Sequence, residues 1–135
     1  MKLKTKFKYY SAFALLIPLY TQSSPALASV GAMLQGLDKV TARIERIEAL
    51  IDKPIQFGSL RILVRACVKK PPEELPESAA FLEIKDARAG KNGMSVFSGW
   101  MFASSPSLSA MEHAVYDVWV VDCINELSDS SSSSR

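Results

Sequence analysis

The densest cluster of reactive side chains is Glu112-His113, with Tyr116, Asp117 and Asp122 close behind. An imidazole beside carboxylates is the material of general-base catalysis, and the serines from Ser104 to Ser109 offer hydroxyl nucleophiles. Taken together they describe a small hydrolase in which a carboxylate orients His113. The pattern has little specificity, because no Gly-x-Ser-x-Gly elbow accompanies it. One histidine is also thin for a zinc site shared with Glu112 and Asp117. Calcium takes six or more oxygens, and no Asp-rich loop supplies them. These residues therefore assign no catalytic group, metal or cofactor, and a hydrogen-bonded loop histidine is the plainer account of His113.

A second constellation is aromatic: Phe97, Trp100, Phe102, Tyr116 and Trp119. Exposed aromatic patches mark recognition surfaces, whereas buried ones fill cores. On a strand, Trp100 and Phe102 share a face with Val96 and Ser98. On the next apolar stretch, Asp117, Trp119, Val121 and Cys123 share one face, and Tyr116, Val118 and Val120 the other. One set must pack inward, and packing in a small core is the plainer expectation for both tryptophans. The candidate binding residues are Trp100, Phe102, His113, Tyr116, Asp117 and Trp119.

The elements that must position them read as strands. Leu60–Val68 alternates, with Leu60, Ile62, Val64 and Ala66 opposing Arg61, Leu63, Arg65 and Cys67. Ala79–Lys85 puts Ala80, Leu82 and Ile84 together, and Val96–Ala103 and Val115–Cys123 are rich in aromatic and β-branched residues. Pro71-Pro72, Gly90-Lys-Asn-Gly93 and Ser104-Ser-Pro106 punctuate them. Such a series predicts a mainly β domain, an antiparallel sandwich or small barrel. One segment dissents, since Met33, Leu37, Val40, Ile44, Ile47 and Ile51 recur at helical spacing.

The N-terminus has a basic patch (Lys2 to Lys8), an apolar run (Tyr9–Tyr20) and a small-residue end, Pro-Ala-Leu-Ala28. That order is the signature of a secretory signal peptide, here cut between Ala28 and Ser29. A membrane-spanning helix needs about 20 apolar residues, and Pro18 with the polar run from Thr21 cuts this one short. Membrane contact is thus expected only transiently, during export. Without residues 1–28 the chain holds 12 Lys and Arg against 14 Asp and Glu, which disfavours a nucleic-acid partner. The remaining organisation is a linker at 29–35, one domain at 36–125 and a disordered Ser-rich tail at 126–135. Cys67 and Cys123 are the only cysteines, and in an oxidising compartment an even count reads as one disulfide.

From Gly36 onward the text carries Phe57-Gly-Ser-Leu60, Arg65-Ala-Cys67, Val96-Phe-Ser-Gly-Trp-Met-Phe-Ala-Ser-Ser-Pro106 and Glu112-His113 leading to Tyr116-Asp-Val-Trp119. These blocks resemble the domain-of-unknown-function family numbered 2155, small exported proteins of Gram-negative bacteria. The resemblance spans Gly36 to Cys123 and implies a periplasmic location without implying a reaction. It also implies an extended, β-rich conformation for Ala42–Ile51, against the helical spacing. The expected function is a periplasmic, non-catalytic binding or cell-envelope adaptor module, with an envelope protein or small ligand as partner. The alternative is the small hydrolase using His113.

Overall fold

The computed structural model describes residues 28–88, 90 and 92–126. The expected leader therefore lies outside the described residues except for Ala28, and the expected tail except for Glu126. The described chain forms seven strands: β1 (Ser29–Asp38), β2 (Arg43–Leu50), β3 (Ile55–Phe57), β4 (Leu60–Lys69), β5 (Ser78–Asp86), β6 (Met94–Phe102) and β7 (Tyr116–Asn125). A single 3-10 turn, Pro106–Ser109, interrupts the link from β6 to β7. The strands make two antiparallel sheets, β2-β1-β7 and β3-β4-β5-β6. Their inner faces share one core, in which Leu34, Leu60, Ile62, Leu82, Ile84, Val64 and Val120 are the largest fully buried side chains. This is the sandwich anticipated from the alternating apolar runs.

One expectation is corrected. Residues 29–35 are no linker but most of β1, the central strand of the three-stranded sheet. The helical spacing from Met33 to Ile51 belongs to no helix, because those residues form the β1–β2 hairpin, with Leu34 opposite Ile47 and Ala32 opposite Ala49. Asp38 turns the chain there, its carboxylate accepting the Val40 and Thr41 amides at 2.8 and 3.2 Å. The extended reading of Ala42–Ile51 holds, as β2 and an isolated bridge from Ile51 to Val64.

Chain crossings and one covalent bond hold the sheets together. After β2 the Asp52 amide donates to the Val64 carbonyl at 2.9 Å, stitching the first sheet to the second. The Cys67–Cys123 disulfide joins β4 to β7, with Cα atoms 5.7 Å apart. Strict alternation puts Cys67 with outward Arg61, and Cys123 with outward Trp119. Each strand carries a register shift that corrects this. The β4–β5 ladder slips between Val64 and Ala66, and the β1–β7 ladder passes from Val120 to Asp122 opposite adjacent β1 residues. Arg65 and Val121 are thereby the bulged residues, each two positions before a cysteine. An extra residue flips every side chain beyond it to the other face. Cys67 and Cys123 consequently end 8% and 7% exposed, inside the core.

The bridge closes a 56-residue separation, which on the chain-entropy account is worth about 4 kcal/mol. Replacing both cysteines by serine should lower unfolding free energy by about 3–4 kcal/mol in denaturant titrations. Deleting the bulge residue Val121 should prevent the bond outright, leaving both thiols open to alkylation in the folded fraction.

Candidate functional site

The β3–β4 turn is the floor of the first candidate site. Gly58 occupies the first central position of this two-residue turn with φ of +56°, where L side chains are strained. A Cβ there would also lie 2.4 Å from the Tyr116 ring. The absence of a side chain lets Tyr116, at the start of β7, close over the turn. Its ring meets Phe57 edge-on at 5.4 Å and stacks on His113 at 5.5 Å.

His113 is fixed from both sides of its ring. Nδ1 accepts the backbone N–H groups of Val115 and Tyr116 at 3.2 and 3.1 Å. Because Nδ1 serves as an acceptor, the proton sits on Nε2, which donates to Asp86 Oδ2 at 3.1 Å. The two side chains are nearly buried, 10% and 12% exposed. Lys39, from the β1–β2 turn, donates to the His113 carbonyl at 2.5 Å and lies 3.4 Å from Asp117. His113, Tyr116 and Asp117 thus come together as expected from their spacing, joined by Lys39 and Asp86, which sequence spacing did not single out.

Asp86 ends β5 and gathers donors. The Arg88 amide at 3.0 Å and the His113 ring hold its carboxyl well below the usual carboxylate range, against the opposing effect of burial. The buried Ser59 hydroxyl also stabilises the carboxylate, although the pair misses regular hydrogen-bond geometry. Both ring nitrogens of His113 are committed to the backbone and to Asp86, so neither is left to take a proton from a serine. Among the candidate nucleophiles, Ser104 is engaged elsewhere, bonded by its hydroxyl to Glu77.

The other candidate residues lie apart from this cluster. Trp100 is 40% exposed on the outer face of the four-stranded sheet, edge-on to Phe81 directly opposite it at 5.6 Å. Phe102 closes the same strand and is half-buried. Trp119 alternates with buried Val118 and Val120, so it faces outward on the other sheet, half-buried. Both tryptophans leave the core, contrary to the plainer expectation, because Met101 and the two valines fill those inward positions.

A second concave surface lies at the disulfide end. A groove of about 1000 Å³ runs between the loop containing Pro71, Pro72 and Pro76 and the last turns of β7 at Val121, Asp122 and Asn125. Burial opposes the charge on Asp122. Lys69 at 2.8 Å, the Ser78 hydroxyl at 2.8 Å and the Cys123 amide outweigh it and keep the carboxyl below its ordinary value. Glu77 is held low by the Ser104 hydroxyl and amide. These bonds tie the groove walls to the sheets on either side.

The Asp86 carboxyl titrates lower in the folded chain than its ordinary value of 3.8. Its stabilising effect is therefore complete above that value and disappears as the pH falls through the folded value. Asp86→Asn should melt several degrees below the wild type at pH 6. The gap should narrow steadily below about pH 4, as followed by thermal melts over a pH series.

No solved structure matches this chain. An uncharacterized protein of Rickettsia prowazekii (strain Madrid E) is 30% identical over 87 residues. That alignment covers 64% of this chain and 56% of the relative, so the chain spans little more than half the length of that protein. The sequence profile of the family described as "Uncharacterized protein conserved in bacteria (DUF2155)" matches residues 32–123, from the fourth residue of β1 to Cys123 in β7. The match covers all seven strands apart from the first residues of β1 and the last of β7, and the chain belongs to the DUF2155 family.

Proposed function

We propose that this chain is an exported binding module of the bacterial cell envelope, acting on a partner protein or small ligand without catalysis. The observation that carries the reading is the commitment of both His113 ring nitrogens to the fold. A general base needs a free lone pair within reach of the proton it removes. His113 instead works as a clamp that fastens the link from β6 to β7 onto the end of β5. The hydrolase alternative finds no support in that geometry.

Export rests on separate grounds. The basic, apolar and small-residue zones of residues 1–28 match a secretory leader. A disulfide between the only two cysteines suits an oxidising compartment such as the periplasm. Display of aromatic groups on the outer face of one sheet, Phe81 with Trp100, suits recognition.

Fractionation of the producing bacterium, with thiol alkylation before reduction, tests the location. The chain should appear in the periplasmic fraction, begin at Ser29, and carry no alkylated cysteine. His113→Ala should lower the melting temperature by several degrees by stranding two amides and a carboxylate. Loss of a cellular phenotype should track that instability. A phenotype abolished with an unchanged melting temperature would instead assign His113 to catalysis or specific binding.

A further inference from the structure

A two-sheet sandwich has four edge strands, and exposed edges are templates for unwanted pairing unless something blunts them. Three of the four are blunted here. β2 carries Arg43, Glu45, Arg46 and Glu48 among its eight residues. β3 is three residues long. β7 places Asp117 and Asp122 along its length, both ion-paired.

β6 is the exception. Its nine residues, Met94–Phe102, include no charge and no proline. It pairs with β5 alone, and on its other side only the Phe102 carbonyl has a backbone partner among the described residues, the Ser105 amide. A register shift near Val96 breaks the ladder near its start, and Phe97–Phe102 then runs in regular pairing. Gly99 faces the inter-sheet side at this edge, and a Cβ added there would meet nothing closer than the Phe97 ring at 3.6 Å. The Pro106–Ser109 turn packs beside β6, and the edge still offers unpaired backbone groups and an outward aromatic platform of Trp100 on Phe81.

Charge selects what fits. Gln56, Arg61, Lys85 and Ser95 are direct neighbours in one row across all four strands. Arg61 and Lys85 stand opposite each other, both exposed, and neither has a carboxylate partner among the described residues. Like charges directly opposite destabilise a sheet. The row ends at small, exposed Ser95, over which the Lys85 side chain, one strand in, can reach beyond the edge.

We propose that the free edge of β6 accepts an extended strand from a partner protein. That strand carries a carboxylate level with Ser95 and an apolar side chain level with Trp100. This proposal rests on the binding-module reading and names the partner's chemistry. Because Ser95, Ser98 and Trp100 are successive outward positions, the two side chains fall four residues apart on one face of a regular strand. Backbone pairing supplies affinity and alternate side chains supply selection, the mode of β-strand addition. Pairing of β6 with the β6 of a second copy does not meet the requirement, since β6 has no acidic residue to bring to Lys85.

The test uses the full chain in the producing bacterium, with the photocrosslinking residue benzoylphenylalanine placed at Ser98, at Val121 in the groove, or at Glu45 on β2. The Ser98 probe should capture one protein, and mass spectrometry should map the crosslink to an extended segment with the acidic and apolar residues four apart. The double change Arg61→Glu and Lys85→Glu should reduce that yield on the order of tenfold without moving the melting temperature or the Glu45 background. A probe at Ser95 repeats the measurement if the Ser98 variant melts early. Capture of a second copy, capture of a segment lacking the carboxylate, or indifference to charge reversal overturns the proposal. Capture from Val121 alone overturns it while sparing the binding-module reading, and silence at all three positions overturns both.

Discussion

A disulfide can join two packed sheets only when both sulfurs point into the gap between them. Period-two geometry forbids that here, since Cys67 and Cys123 each fall in phase with outward residues. Two bulges, at Arg65 and Val121, reverse the phase over the last two residues before each cysteine. Everything at that end of the molecule follows from this local reversal. Val121 is left outside on the groove wall, Asp122 faces Lys69 and Ser78 across the sheets, and Cys123 reaches Cys67. The bond is therefore inseparable from irregularities in both strands that carry it.

At the far end of β5 a polar clamp does comparable work. Ser78 starts the strand beside the disulfide-bearing segment and Asp86 finishes it against His113. The clamp depends on a tautomer. The Val115 and Tyr116 amides take Nδ1, which leaves Nε2 to donate to Asp86, and the Lys39 ammonium fixes the carbonyl of the same residue. Gly58 completes the arrangement by giving up the space that Tyr116 occupies. A cluster of histidine, carboxylates and tyrosine in sequence thus becomes a joint between elements, because every hydrogen-bonding position on the imidazole is filled from within the fold.

β4 and β5 were legible because most of their inward positions are large aliphatic residues: Leu60, Ile62, Val64, Leu82 and Ile84. The β1–β2 hairpin was illegible by pattern for the opposite reason. Its inward positions include Ala32, Gly36 and Ala49, too small to register as an apolar face. Gly36 must be small, since a Cβ would meet the Phe57 ring at 2.7 Å. The larger residues that mimic helical spacing lie partly outside, Val40 and Ile44 being 77% and 57% exposed. Only the family resemblance pointed to extended structure there. In the candidate site, the grouping of His113, Tyr116 and Asp117 was visible because they are near neighbours in the chain. Asp86 and Lys39 arrive from 27 and 74 residues away, and no local spacing announces them.

The two closures leave the second sheet unequally held. β4 is bonded covalently to β7, and β5 is fastened at Ser78 and Asp86 to elements of, or leading into, the other sheet. β3 is a short flap on β4, and β2 is the charged outer strand of its own sheet. β6 alone is long, uncharged and joined by its ladder to a single neighbour. Under the proposed strand addition, stability and recognition fall to different strands. The core can be locked by β4, β5 and β7 at both ends, and the backbone groups on the open side of β6 stay available without weakening what holds the sandwich together.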